Sequence, residues 1–215
     1  NWIKAISFDE DYENFNDEVE DFQPGGNPMD IAWLDGRLFV IHWANQALYR
    51  YDADGNNLGE INFQFRPCGV GASFEMGLLF VQEDNPNNNR DIHVLQMNED
   101  GEVEEQIGLI DNYRPLMGNQ WSRNVEWVDD HPDGQLWVHT STRELHQFSI
   151  DTNDWQAIDR VQVLQNFGGN QEYGGVAHDM NNLWHGGWDQ NEYVIIDDGV
   201  EEIRWLSWEE KSGLI

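Results

Sequence analysis

The sequence predicts an all-β protein, a β-propeller of four blades with four antiparallel strands each, and three observations lead there. The stretch Asn27–Phe63 holds four short apolar runs: Ile31–Leu34, Leu38–His42, Leu48–Tyr51 and Leu58–Phe63. Asp35-Gly36, the loop Trp43–Ala47 and Asp54-Gly55-Asn56-Asn57 separate them. Runs this short, split by Asp-Gly pairs, read as an antiparallel meander rather than a helix. The same order of runs and turns returns three more times. One such sheet cannot bury both its faces, so a repeat of it means stacked sheets.

The second unit, from about Pro67 to Ile110, contains CGVGAS, LLFVQ, IHVLQM and VEEQIGLI. The third, Arg123 to Leu164, contains NVEWV, QLWVH, LHQFSI and AIDRVQVL; the fourth, Tyr173 to Trp208, contains GGVAH, NLWHGG, YVIID and EEIRWLSW. Each first strand carries a β-branched residue in register: Ile31, Val70, Val125 and Val176. Each second strand opens with leucine and an aromatic residue: Leu38-Phe39, Leu79-Phe80, Leu136-Trp137 and Leu183-Trp184. The spacing between units varies, as it does when blade loops diversify and the sheets stay. Trp33, Trp127, Trp137 and Trp184 lie inside apolar strands and are expected in the core. Residues 1–23 read as a strand, Trp2–Phe8, that closes the ring by pairing with the last blade, followed by a solvated acidic connector. Residues 24–215 read as the propeller. A fifth blade built from both ends, and a jelly roll or β-sandwich, are the structural alternatives.

The wording of the first unit resembles the NHL-like family of β-propeller repeats. The matching residues are Pro28, Ile31, Ala32, Asp35, Gly36, Leu38 to Val40, Asn45, Leu48, Tyr49, Tyr51, Asp52 and Gly55. The resemblance implies a fold and no particular ligand. The ending RWLSWEEKSGLI is similar to the tail of glutaminyl-cyclase-like propellers.

Charge narrows the partners. Forty-one acidic residues face eleven basic ones, a net charge of −30 at pH 7. Nucleic acid is excluded, because phosphate contacts need a basic stripe, and anionic membrane surfaces are excluded on the same ground. No apolar run is long enough to insert into a membrane as a helix. Self-repulsion on this scale fits a high-salt environment, where ions screen it. It fits equally a calcium-rich extracellular, cell-surface or virion-surface setting. The single cysteine, Cys68, leaves no intramolecular disulfide and no Cys-based zinc site, and reads as a small buried apolar residue. A start at Asn1, without methionine or signal-peptide pattern, reads as a processed product or a piece of something larger.

Function in propellers sits on the face where the loop between second and third strands meets the loop between blades. Trp43 and Trp188 each lie five residues before a third strand, at Leu48 and Tyr193, with Thr140 in the same slot before Leu145. WANQA and WDQNE are therefore equivalent loops, a tryptophan followed by amides and acids. The candidate binding residues are Trp43, Asn45, Gln46, Trp121, Arg123, Thr140, Arg143, Trp188, Asp189 and Asn191. Aromatic rings flanked by amides and carboxylates suit a sugar, whose C–H face stacks on the ring while its hydroxyls take paired hydrogen bonds. No cofactor is demanded. Calcium is the one metal suggested, at Glu83, Asp84 and Asp91 in the insertion EDNPNNNRD, because no simple turn needs nine residues. The other Asp-rich turns lack the full twelve-residue calcium loop. No nucleophile elbow, zinc-protease helix or phosphate loop is present. The expectation is a non-enzymatic extracellular binding module whose loop face contacts a glycan or a protein surface. The alternatives are a structural propeller domain of a virion or cell-surface assembly, and a calcium-assisted hydrolase, lyase or lactonase.

Overall fold

A computed structural model describes residues 3–8, 15–22, 24, 28–85, 90–129, 131–142, 144–165, 174–178, 182–187, 192–197 and 202–207. Side-chain surroundings are described for 24, 28–85, 90–129, 131–142, 144–164 and 175–177.

Four antiparallel meanders of four strands each follow one another along the chain. A separate two-stranded sheet precedes them, β1 (Ile3–Phe8) with β2 (Phe15–Phe22). The first meander is β3 (Pro28–Leu34), β4 (Arg37–His42), β5 (Ala47–Asp52) and β6 (Asn57–Asn62). The second is β7 (Pro67–Ser73), β8 (Leu78–Glu83), β9 (Ile92–Met97) and β10 (Val103–Ile110). A single helical turn, α1 (Tyr113–Leu116), leads into β11 (Ser122–Trp127), β12 (Leu136–Thr140), β13 (Glu144–Asp151) and β14 (Gln156–Gln165). The last is β15 (Gly174–His178), β16 (Asn182–Gly187), β17 (Glu192–Asp197) and β18 (Glu202–Ser207). The innermost strands pack in succession, β3 beside β7, β7 beside β11 and β11 beside β15. This is the β-propeller that the repeat predicts.

Turn chemistry sets the meanders. Asp35 and Gly36 both take positive φ, 49° and 75°, the hairpin conformation that suits the twist of the flanking strands. Strand alternation then buries both faces of each inner sheet. In β8, Leu79 and Val81 face the first sheet, while Leu78 and Phe80 face the third. In β12, Leu136 and Val138 face the second sheet, while Trp137 joins Val128, Leu145, Leu164 and Val176 on the other side. Phe80 stacks on Trp127 with ring centroids 4.3 Å apart, and Trp155 meets both rings nearly edge-on. Trp155 needs room for this, and Gly108 supplies it: a Cβ there would lie 2.1 Å from the indole.

Backbone approach at the centre depends on β7. A Cβ on Gly69 would stand 2.6 Å from the Arg123 carbonyl oxygen, and one on Gly71 would stand 3.0 Å from three backbone atoms of β11. At the opposite edge two arginines of the first sheet brace the second. Arg37 donates to the Glu99 carbonyl at 2.6 Å. Arg50 donates to the Gly101 carbonyl at 3.0 Å and pairs with Glu102 at 3.2 Å.

Two expectations are corrected. The first strand pairs with β2, drawn from the acidic segment, rather than with the last sheet. Phe15, Val19 and Phe22 give that segment enough apolar β-forming character to make a hairpin with its neighbour in sequence. Trp33 is 41% exposed, because it points to the side of β3 away from β7. Trp127 and Trp137 are buried; the side chain of Trp184 lies outside the described residues.

Gly69→Ala is expected to lower the unfolding free energy by about 1–3 kcal/mol in a denaturant titration. Gly175→Ala, where an added Cβ meets nothing within 4 Å, should change it by less than about 0.5 kcal/mol.

Candidate functional site

Register brings the loop face together. Pro28 pairs with His42, Pro67 with Glu83 and Ser122 with Thr140, so each first strand starts where its second strand ends. Loops before the first strands therefore lie beside those after the second.

After β4 the chain makes one tight turn, Trp43–Asn45, closed by Gln46 in the left-handed conformation. The turn leaves Asn45 and Gln46 exposed and swings Trp43 toward the second sheet. There its indole N–H donates to Asp84 Oδ2 at 2.7 Å. The guanidinium of Arg66, on the loop before β7, sits 4.7 Å from the Trp43 ring centroid. Asn45 donates to the Tyr49 hydroxyl at 3.0 Å.

The other oxygen of Asp84 accepts from Arg90 at 2.5 Å. Arg90 is 1% exposed and reaches three sheets. It holds the carboxylate that anchors Trp43, donates to the Ser122 carbonyl at the start of β11, and lies 4.4 Å under the Trp121 ring. Its own carbonyl accepts from the Tyr113 hydroxyl at 2.5 Å. Gln82 donates to Tyr113 at 2.8 Å and to Ser122 Oγ at 2.7 Å. The Cys68 thiol completes the set with Gln82 Oε1 at 3.5 Å, and burial pushes its pKa up. It is a small buried group, as the sequence predicts.

Trp121 is 42% exposed although the Arg90 guanidinium lies against one side of its ring. Beside it Gln120 donates to Glu144 Oε2 at 2.6 Å and accepts from the Thr142 hydroxyl. Burial works against ionisation of Glu144, but the Gln120 amide and His146, 3.1 Å away, outweigh it and hold the carboxyl below its ordinary range. Thr140 is fully buried, its hydroxyl donating to the Glu144 carbonyl at 3.1 Å. Arg123 lies half-buried on β11 against β7. Trp43, Asn45, Gln46, Trp121, Arg123 and Thr140 thus share one face. Arg143, Trp188, Asp189 and Asn191 lie outside the described residues.

In the insertion, Glu83 pairs with His93 at 3.5 Å, and Glu83 N–H donates to the Asp91 carbonyl at 3.0 Å. Burial, then the charges of Glu83 and Asp111, raise the pKa of Asp91. Among the described residues, no three His, Cys, Asp or Glu side chains converge as a metal site would require.

Toward the axis, Asp30 on β3 accepts the Val70 N–H of β7 at 2.9 Å and a hydrogen bond from Asn124 of β11. One carboxyl ties three innermost strands. Desolvation pushes its pKa up to about 8 against those hydrogen bonds. Neither Asp30 nor Arg90 is among the sequence candidates, although Asp84, the partner of Arg90, is. The usable signal was Arg90 itself, one of eleven basic residues in the chain, placed within an acidic insertion.

No protein-family model and no curated sequence matches the chain. Its fold is similar to a protein of unknown function from Bacteroides caccae, at TM-score 0.53 and 14% identity, over 96% of this chain and 69% of that one. It is similar to a functionally unknown protein from Desulfotomaculum acetoxidans, at 0.52 and 12%, over 96% and 62%. It is also similar to Myxococcus xanthus glutaminyl cyclase, at 0.54 and 13%, over 80% and 72%. This chain is shorter than each of them. Identities this low speak for the fold alone, a propeller of four-stranded antiparallel blades.

Because the folded pKa of Asp30 is raised, its contribution to stability is whole below 3.8 and is lost as pH rises through about 8. Wild-type protein is expected to lose stability across that window more steeply than Asp30→Asn, whose amide oxygen still accepts the Val70 N–H. Parallel pH profiles in chemical denaturation would contradict this.

Proposed function

We propose that the protein is a non-enzymatic binding module that takes a glycan on its loop face, stacking a sugar ring on Trp121. The single observation that carries this is the exposure of Trp121, whose ring is backed by a buried guanidinium. A ring fixed in advance loses little freedom on binding, which is where affinity is usually lost. The Gln120, Thr142 and Glu144 side chains beside it offer paired donors and acceptors to hydroxyls. Trp43, with exposed Asn45 and Gln46, extends the same face across the first blade. An extracellular or high-salt setting belongs to the proposal, since screening would relieve a net charge of −30. So does the NHL-like character of the first repeat, a unit that serves here as scaffold. Calcium at the Glu83–Asp91 insertion would be an accessory to this face.

A second reading, a structural domain of a larger surface assembly, is favoured by the exposure of Ile31 and Trp33 on β3.

The glycan reading is tested by screening immobilised oligosaccharides, then titrating the best binder calorimetrically. Trp121→Ala is expected to weaken binding about tenfold or more, a loss of at least ~1.4 kcal/mol, with its circular dichroism unchanged. Binding that survives both Trp121→Ala and Trp43→Ala would overturn it.

A further inference from the structure

Arg66 and Trp121 occupy the same slot in successive blades. Each immediately precedes an innermost strand, β7 and β11. Each offers its carbonyl to the first residue beyond the second strand of its blade. Asp84 N–H donates to the Arg66 carbonyl at 2.6 Å, and Ser141 N–H to the Trp121 carbonyl at 2.7 Å. Since β8 ends at Glu83 and β12 at Thr140, the two bonds are one feature of the repeat. The two side chains therefore stand one blade apart on the loop face, and both are exposed. The Arg66 guanidinium lies over the Trp43 ring, 4.7 Å from its centroid. A guanidinium on a ring face still has N–H donors for an acceptor beyond the ring. Among the described residues no carboxylate pairs with it, although the chain has forty-one acidic residues. Asp84, whose backbone meets Arg66, turns its two carboxylate oxygens to Arg90 and Trp43 instead. Arg114, on the same face, donates to the Asn119 and Gln120 carbonyls.

We propose that the glycan of the loop face is an acidic one, a hexuronate-type sugar whose carboxylate pairs with Arg66. The inference rests on the glycan reading and deepens it: one sugar unit stacks on Trp121, and its charged group reaches across to the second blade. The guanidinium fork meets a planar carboxylate through two parallel hydrogen bonds, a match that a hydroxyl does not give. The charges around Trp121 set the direction of the ligand. Glu144, on β13 of the third blade, carries a carboxylate bonded to Gln120 and His146. An anionic group on that side would meet like charge, whereas the second blade presents Arg66. The sugar carboxylate therefore lies toward the second blade, and the hydroxyls lie toward Gln120 and Glu144. A net charge of −30 repels any anion at long range. In about 1 M salt that repulsion dies away within about 3 Å, whereas a pair in contact is screened less.

The probes are hexuronate trisaccharides, each beside its methyl ester, titrated calorimetrically against the whole chain in high sodium chloride. The ester keeps the rings and hydroxyls and removes only the charge. In at least one pair the acid is expected to bind about tenfold or more tightly than its ester, the usual gain from a charge-assisted hydrogen bond. Arg66→Gln should bring that acid down to the affinity of its ester, with circular dichroism unchanged. Arg66→Lys, which keeps the charge without the fork, should fall between. Trp121→Ala should weaken acid and ester alike. Esters that bind as well as their acids, or an Arg66→Gln protein that keeps the preference, would overturn the inference and leave the glycan reading standing. Uronates that fail where a neutral oligosaccharide from the screen binds would do the same. Failure of uronates, esters and neutral sugars together would remove both.

Discussion

The buried Arg90–Asp84 pair is the interaction on which the loop face depends. Sheets of a propeller touch through apolar faces, and apolar contact has no direction of its own. Something polar has to fix where the rims of neighbouring blades sit. Arg90 does this from the second blade, toward the first through Asp84 and Trp43 and toward the third through Ser122 and Trp121. A guanidinium suits the task because its planar fork meets a carboxylate and a carbonyl at once and still stacks on an aromatic ring. Burial makes the arrangement demanding. An arginine that is 1% exposed must find a partner for its charge or destabilise the sheet that carries it.

Below the rim the logic is steric. Gly69 and Gly71 bring β11 against β7, and Gly108 opens a hole that Trp155 fills. Arg37 and Arg50 then fasten the far edge of the first blade to the backbone of the second. The aromatic stack of Phe80 and Trp127 packs the interface between the second and third blades. Polar brackets at both rims and a packed middle leave little freedom for one blade to slide on the next, so a ring such as Trp121 is presented rigidly.

The sheets were legible in the sequence because strand period and Asp-Gly turns are local properties, and each repeat restates them. Trp43 and Trp121 were legible as loop residues on the same ground. What local pattern cannot say is which neighbour a side chain will meet. Trp33 obeys the same alternation as Trp127, yet one is exposed and the other buried, because Trp127 meets the second sheet on that side of β11 and stacks on Phe80. The acidic segment was read as a connector from its charge, while Phe15, Val19 and Phe22 carried the strand signal. Arg90 was hidden for another reason. In an insertion searched for carboxylates, its role depends on Ser122 and Trp121, more than thirty residues away in sequence.

The most direct test is the equilibrium unfolding of Arg90→Leu beside the double variant Arg90→Leu/Asp84→Leu. If the bracket is what aligns the rims, the single variant loses about 3–5 kcal/mol, because it strands a buried carboxylate. The double variant should regain a large part of that, since no uncompensated charge remains. An Arg90→Leu protein within about 0.5 kcal/mol of wild type would contradict the account and leave the rims to apolar packing alone.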